Sequence, residues 1–264
     1  MRSATREALG STRAVLADLG GAVTLDTGVQ ILAAGRAIAG APQLLGLLSD
    51  PTADAVGKKV LIDRVFAGQS TETRAVLTAV AGSRWSSQED LLAGIEDAGI
   101  RAVAATASSD TSIEAELFAF ETAVRSDAKL ELALGTKLGS ASEKASLVER
   151  LLADKTSAQT TAILSHLVQQ PRGRRIGELV RDASRIVADQ AGKLVATVVT
   201  ASPLSDGQAA RVARGLAERY GKDISVNRVV DPAVVGGVRV QVGGDVIDGT
   251  VSTRLSELRL QLAG

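Results

Sequence analysis

The apolar residues of this 264-residue chain first depart from helical spacing near Lys193, and that change limits the folds open to it. Before Lys193 they recur every three or four positions, the spacing of a helix with one buried stripe. After it β-branched and alternating stretches appear, LVATVVTA and then Val238, Val240 and Val242, the patterns of strands. Hydrophobic residues make up 45% of the chain and aromatics only 2%, so the core has to be built from Ala, Leu, Val and Ile. Alanine has the best helix propensity and lets helices approach closely. The predicted fold is mainly α: an N-terminal helical bundle over 1–109, a second bundle-like repeat over 110–191, and a small C-terminal α+β domain with a β-hairpin over 192–264.

The first predicted helix covers Thr5 to Leu19, with Ala8, Leu9, Val15, Leu16 and Leu19 on one stripe. A second runs from Gly28 to Ala39, and a short one follows Pro42. Asp54 caps a fourth helix carrying Val56, Val60, Leu61 and Val65. A fifth holds Ala75, Val76, Leu77 and Val80, and a sixth starts at a Ser86/Glu89 capping box and runs to Ala107.

The pattern then recurs. Ile38 to Gly68 align without gaps on Val124 to Asp154, and the densest match sets KKVLIDRVFAG (Lys58 to Gly68) against KASLVERLLAD (Lys144 to Asp154). Polar positions agree as well as apolar ones: Lys58/Lys144 and Arg64/Arg150 are identical, and Asp63/Glu149 is conservative. This predicts duplication of a small helical bundle. The second copy offers capping boxes at Thr111/Glu114 and Ser140/Glu143, a helix ending at Pro171, and a last helix from Arg175 to Ala191 closed by Gly192.

Beyond Lys193, Pro203 ends the first strand, and a Ser205/Gln208 capping box opens a helix that stops at Tyr220–Gly221. ISVNRVV (Ile224 to Val230) is a second strand; Val238, Val240 and Val242 alternate in a third. Gly243-Gly244 suits a two-residue hairpin turn, Val246 and Ile247 return, and a closing amphipathic helix carries Val251, Leu255, Leu258 and Leu262.

Charge and composition exclude several functions. Lys plus Arg and Asp plus Glu both number 30, a balance that argues against a nucleic-acid partner, which demands excess cations. The absence of cysteine removes disulfides and thiolate chemistry. The N-terminus has no apolar secretory core, and the best apolar stretch, GVQILAAGRAIAG, is interrupted by Arg36, so a membrane role has to run through a partner. The single histidine, His166, reads as structural, and no GxSxG elbow accompanies it. No Lys follows the glycines at 236, 237, 243, 244 and 249, so turns and bulges fit them better than a phosphate loop. PRGRR (Pro171 to Arg175) reads as a solvated helix start, and Asp231, Asp245 and Asp248 as turn residues. No catalytic, cofactor-binding or metal-ligating residue is assigned.

VVDPAVVGGVRVQVGGDVIDGTVSTRL (Val229 to Leu255) resembles the signature of the ATP synthase delta subunit family, which includes the mitochondrial oligomycin-sensitivity-conferring protein. The resemblance rests on Asp231-Pro232, Gly236-Gly237, Val238-Arg239-Val240, Asp245 and Ile247-Asp248-Gly249. TASPLSDGQ (Thr200 to Gln208) and LLGLLSDPTADAVGKKVLIDRVF (Leu44 to Phe66) are similar to other parts of the family, and the additional bundle matches its long form. The resemblance implies a non-catalytic peripheral-stalk, or stator, subunit of a proton-translocating F-type ATP synthase, without a cofactor, on the cytoplasmic face of the cell membrane. Its implied partners are the N-terminal helices of alpha subunits and the membrane-anchored b subunit. Val15, Leu19, Val76 and Val80 in the first repeat, and Ile163 and Leu167 in the second, are the expected walls of grooves for alpha helices. The competing reading is a helical adaptor with a small-ligand-sensing C-terminal domain. The ASPLSD turn weakens it, because such a site wants a glycine-rich turn after its first strand.

Overall fold

A computed structural model describes residues 3–108, 110–135, 139–251, 253 and 255. It divides into two compact units, Met1–Val187 and Ala188–Gly264.

The first unit is helical. Its helices are α1 (Ser3–Leu19), α2 (Leu25–Ala39), α3 (Pro42–Ser49), α4 (Ala55–Val65), α5 (Thr71–Gly82), α6 (Gln88–Ala104), α7 (Ile113–Ser126), α8 (Ala128–Gly135), α9 (Ala141–Leu152), α10 (Ala158–Gln169) and α11 (Ile176–Gln190). The sequence dictates most of the starts. Asp54, Ser70, Ser140 and Ser157 each accept the N–H three residues on, and Pro42 occupies the first turn of α3. Two predicted starts are corrected by one residue. Ser87, not Ser86, caps α6 by accepting from the Asp90 N–H, because Ser86 is engaged by Thr5 of α1. Ser112 caps α7, and Thr111 pairs with Ser108 instead. α2 begins earlier than predicted, at a Thr24/Thr27 capping box, and α6 ends at Ala104.

The duplication extends well past the aligned segment. α2–α6 and α7–α11 follow the same order, with matching short third helices α3 and α8 and matching caps at Ser70 and Ser157. Aligned positions share their burial: Ile31/Leu117, Ile38/Val124, Leu48/Leu134, Ile62/Val148, Val76/Ile163 and Val80/Leu167 all lie in the two apolar cores. Even the buried polar positions repeat. Lys58 and Lys144 are both buried. The Ser70 N–H and Thr73 hydroxyl donate to Gln30, while the Ser157 N–H and Thr160 hydroxyl donate to Glu116. α1 precedes the first set and packs on α5; α6 precedes the second and packs on α10. α6 therefore closes one bundle and opens the next.

The second unit pairs β1 (Lys193–Thr200), β2 (Asp223–Val230), β3 (Val238–Val242) and β4 (Asp245–Asp248) in the order β2-β1-β3-β4. β1 and β2 run parallel, joined by α12 (Asp206–Tyr220); β1–β3 and β3–β4 are antiparallel. Ala196, Val198, Val240 and Val242 face Leu216 of α12 in a small core. Ser205 and Gln208 form a capping box, and Gly221 ends α12 at φ +67°. Gly243 turns the β3–β4 hairpin at φ +57°. Leu258 and Leu262, placed by periodicity on a closing helix, lie outside the described residues.

Candidate functional site

The groove residues expected from periodicity divide in two. Val15 and Leu19 are half-buried on α1. Val76, Val80, Ile163 and Leu167 are fully enclosed, at 0–1% exposure, so they form the floor of their bundles and cannot be exposed walls. The apolar stripe of α5, like that of α10, is consumed by its own core. The surface that remains on α5 includes half-exposed Glu72, Arg74, Ala75, Thr78 and Ala79. No single helix among the described residues is long and apolar enough to cross a membrane.

A buried charge cluster ties the two repeats together. Glu96 of α6 receives both oxygens' worth of bonds from Arg174 Nη2, at 2.9 Å each, and a third contact at 2.9 Å from Arg172 Nη2. His166 of α10 turns Nε2 toward Glu96 at 3.7 Å, and its Nδ1 meets Arg36 of α2 at 2.8 Å. Burial would raise the Glu96 carboxyl, but the facing His166 ring and the guanidinium groups of Arg172 and Arg174 outweigh it and hold the carboxyl at about 2. Burial pushes the His166 imidazole down, Glu96 opposes, and Arg36 and Arg172 add to the fall. Arg172 adopts a left-handed backbone, φ +48°, to deliver its side chain. Arg172 and Arg174 of the PRGRR run are therefore corrected from a solvated helix start to half-buried ion-pair donors, while Arg175 stays exposed. Sequence reasoning missed this cluster; its one trace was the Glu96-Asp97 pair set between the apolar stretches of α6.

Close packing around α6 depends on glycine. A Cβ at Gly99 would stand 2.5 Å from Leu32 Cδ2, one at Gly28 would stand 2.5 Å from Val103 Cγ2, and one at Gly94 would stand 2.0 Å from the Trp85 ring. Each is closer than real Cβ atoms come, so these positions let α2 and Trp85 sit against α6.

In the second unit the motif residues shape one loop and one hairpin. Asp231 Oδ1 accepts the Ala233 N–H at 2.9 Å, and the Asp231 N–H donates to Thr200 O. Exposed Pro232 follows it. Asp248 Oδ1 accepts the Thr250 N–H at 3.0 Å, which holds its carboxyl below the usual range. Both are side-chain-to-backbone turns. Asp245 instead receives the Tyr220 hydroxyl at 3.3 Å. Gly236 and Gly237 have φ of +65° and +78°, and a Cβ on Gly237 would meet Gly249 O at 2.4 Å. Gly249 donates its N–H to Val238 O, which ties the loop to β3. Among the described residues no three His, Asp or Glu side chains converge on a metal-sized site.

Fold and site define a class: a duplicated helical module joined in one chain to a small mixed-sheet module, with its main charge cluster paired internally. The family model for the ATP synthase delta (OSCP) subunit matches residues 100–262, which takes in the second repeat and the sheet unit. The ATP synthase subunit delta of Leifsonia xyli subsp. xyli is 54% identical over 264 residues, covering all of both chains. That of Streptomyces griseus subsp. griseus is 36% identical over 275 aligned positions, again covering all of both. A chain of the Toxoplasma gondii mitochondrial ATP synthase hexamer covers 64% of this chain and 97% of its own at 22% identity, with a TM-score of 0.40. The chain belongs to the ATP synthase delta (OSCP) subunit family.

Proposed function

We propose that the chain is the non-catalytic peripheral-stalk subunit of a proton-translocating F-type ATP synthase, held at the cytoplasmic face of the cell membrane through the complex. The observation that carries this is the 54% identity to the Leifsonia xyli subunit, which runs through both helical repeats and the sheet unit alike. In this reading the segments 1–109 and 110–191 form the head-binding part, which holds N-terminal helices of alpha subunits. Segment 192–264 grips the end of the membrane-anchored b subunit and so keeps the head from turning with the rotor. Val15 and Leu19 are the groove residues left accessible to an alpha helix.

A pull-down with the cytoplasmic part of subunit b tests the stalk contact. Gly237→Val forces a β-branched residue into φ +78° and against Gly249 O, at a cost of roughly 3 kcal/mol or more. The variant should lose most of its b binding while the helical unit stays folded. Full retention of b by a chain lacking 192–264 would refute the assignment.

A further inference from the structure

The wall that α4 and α5 share differs between the repeats where the core does not ask for it. Between the α4 stripe of Val56, Lys59, Val60 and Asp63 and the α5 stripe of Thr71, Arg74 and Thr78 lies an open groove of ≈680 Å³. Its lining comes from these two helices alone. Val56 and Val60 stand exposed on the same stripe of α4, at 68% and 45%. Lys59 donates to Asp63 at 2.6 Å and holds that carboxyl below its usual range, with Arg74 adding to the fall. Arg74 itself is unmatched. Among the described residues no carboxylate pairs with it, and its Nε is buried without an acceptor. A buried donor in that state costs stability and marks a place where an acceptor belongs.

The second repeat shows what the fold alone needs here. At the same registers Ser142, Ala145 and Ser146 stand for Val56, Lys59 and Val60, and Thr161 and Ser165 for Arg74 and Thr78. Ala145 and Ser165 are buried, at 7% exposure each, and the Ser165 hydroxyl meets Glu149 at 3.4 Å, so α9 and α10 close on each other. The bundle therefore folds without cations or valines at these places.

We propose that the α4–α5 groove of the first repeat receives an acidic amphipathic segment from another subunit of the assembly, with a carboxylate on Arg74 and apolar side chains on Val56 and Val60. The contact presupposes the stalk-subunit reading above and is separate from the groove expected beside α1. Charge selects the occupant: Lys59 and Asp63 cancel, and the charge left over in the groove is that of Arg74. The exposed valines add an apolar side that a free anion would not use. From Val56 to Asp63 the α4 stripe spans about 10 Å, so the seated segment needs about two helical turns.

The chain has no cysteine, so a thiol placed in the groove is its only one. Thr78→Cys should react with a maleimide in the isolated chain and roughly tenfold more slowly in the purified ATP synthase, because a seated segment excludes the reagent. Ser142→Cys, at the register of Val56 on α9, should react alike in both. A benzophenone carried on the Thr78→Cys thiol should crosslink, in the complex, to a segment bearing Asp or Glu. Adding Arg74→Gln should restore most of the labelling in the complex, and Arg74→Lys should keep the protection. Melting of the isolated Arg74→Gln chain should stay as it was or rise, since the guanidinium holds no bond there. Equal labelling of Thr78→Cys in both states, protection of Ser142→Cys, a crosslink to a segment without acidic residues, or a lower melting point for Arg74→Gln would overturn the seat. Equal slowing of the isolated chain by phosphatidylglycerol vesicles would overturn it in favour of a lipid surface. A parent chain that fails to co-purify with the ATP synthase would instead sink the stalk-subunit reading, and the seat with it.

Discussion

The first and second helical repeats share a core and differ at the surface. Their buried positions match in kind and place, down to Thr73/Thr160 beneath the caps and Lys58/Lys144 within the wall. Their outer connections do not match. The third residue beyond α5 is Trp85, which folds back, donates Nε1–H to Val80 O at 2.7 Å and fills the space over Gly94. The third residue beyond α10 is Arg172, which reaches Glu96 on the shared helix. One connection closes its own bundle and the other fastens two bundles together. Packing density constrains a core to a few solutions, so copies keep it; a surface loop is free to acquire a new partner.

The largest effect that separates the repeats should come from Glu96→Ala. It removes the buried carboxylate that Arg172 and Arg174 share and leaves Arg174 only Asp182, at 3.4 Å, a loss of about 3 kcal/mol. Trp85, the only tryptophan, reports unfolding of the helical unit by fluorescence. A midpoint in urea unchanged from the parent would mean that the cluster does not fasten the repeats.

Acid should act on the same contact. The Glu96 carboxyl sits at about 2 in the folded chain, below its ordinary 4.5. A depressed carboxyl stabilises the fold fully above its unfolded value and less as pH falls toward its folded one. The loss between pH 4.5 and 2 amounts to about 3 kcal/mol. His166, also depressed, adds a loss that begins near pH 6.5, because the unfolded imidazole takes up a proton that the buried one resists. Stability of Glu96→Gln should be flatter than the parent between pH 4.5 and 2. Parallel curves in thermal melts would rule the cluster out as the acid-sensitive element.

These expectations also mark where the sequence was readable. Capping boxes at Ser140 and Ser205 and the alternation of β3 are local signals, carried by residues a few positions apart, and all were legible; the Lys58/Lys144 register was legible because a whole segment repeats. The displaced cap at Ser86 was not, because Thr5 competes for that hydroxyl from 81 residues away. The Glu96–Arg174 pair spans 78 residues and has no periodic signature. Periodicity likewise identified Val76, Val80, Ile163 and Leu167 as apolar-face residues, but a stripe cannot say whether its own bundle or a partner will cover it.

The smallest expected effect is the strictest test of the likeness between the repeats. Ser70 and Ser157 cap equivalent helices, each accepting an N–H from a fully buried threonine, at 3.1 Å from Thr73 and 3.2 Å from Thr160. Their own N–H groups donate to equivalent acceptors, Gln30 at 2.8 Å and Glu116 at 3.0 Å. Alanine at either position removes one cap bond, worth about 1 kcal/mol. One difference remains: the Ser157 hydroxyl also donates to the Glu116 carboxylate at 2.6 Å, whereas the Ser70 hydroxyl donates to Thr73 Oγ1 at 3.1 Å. A hydrogen bond to a charged acceptor is the stronger, so Ser157→Ala should exceed Ser70→Ala by roughly 1 kcal/mol. The double substitution should be additive, because the two caps share no partner. Equal single costs in urea unfolding would show that the Glu116 carboxylate gains nothing over Gln30. A larger cost at Ser70 would mean that the two caps, alike in geometry, carry different loads.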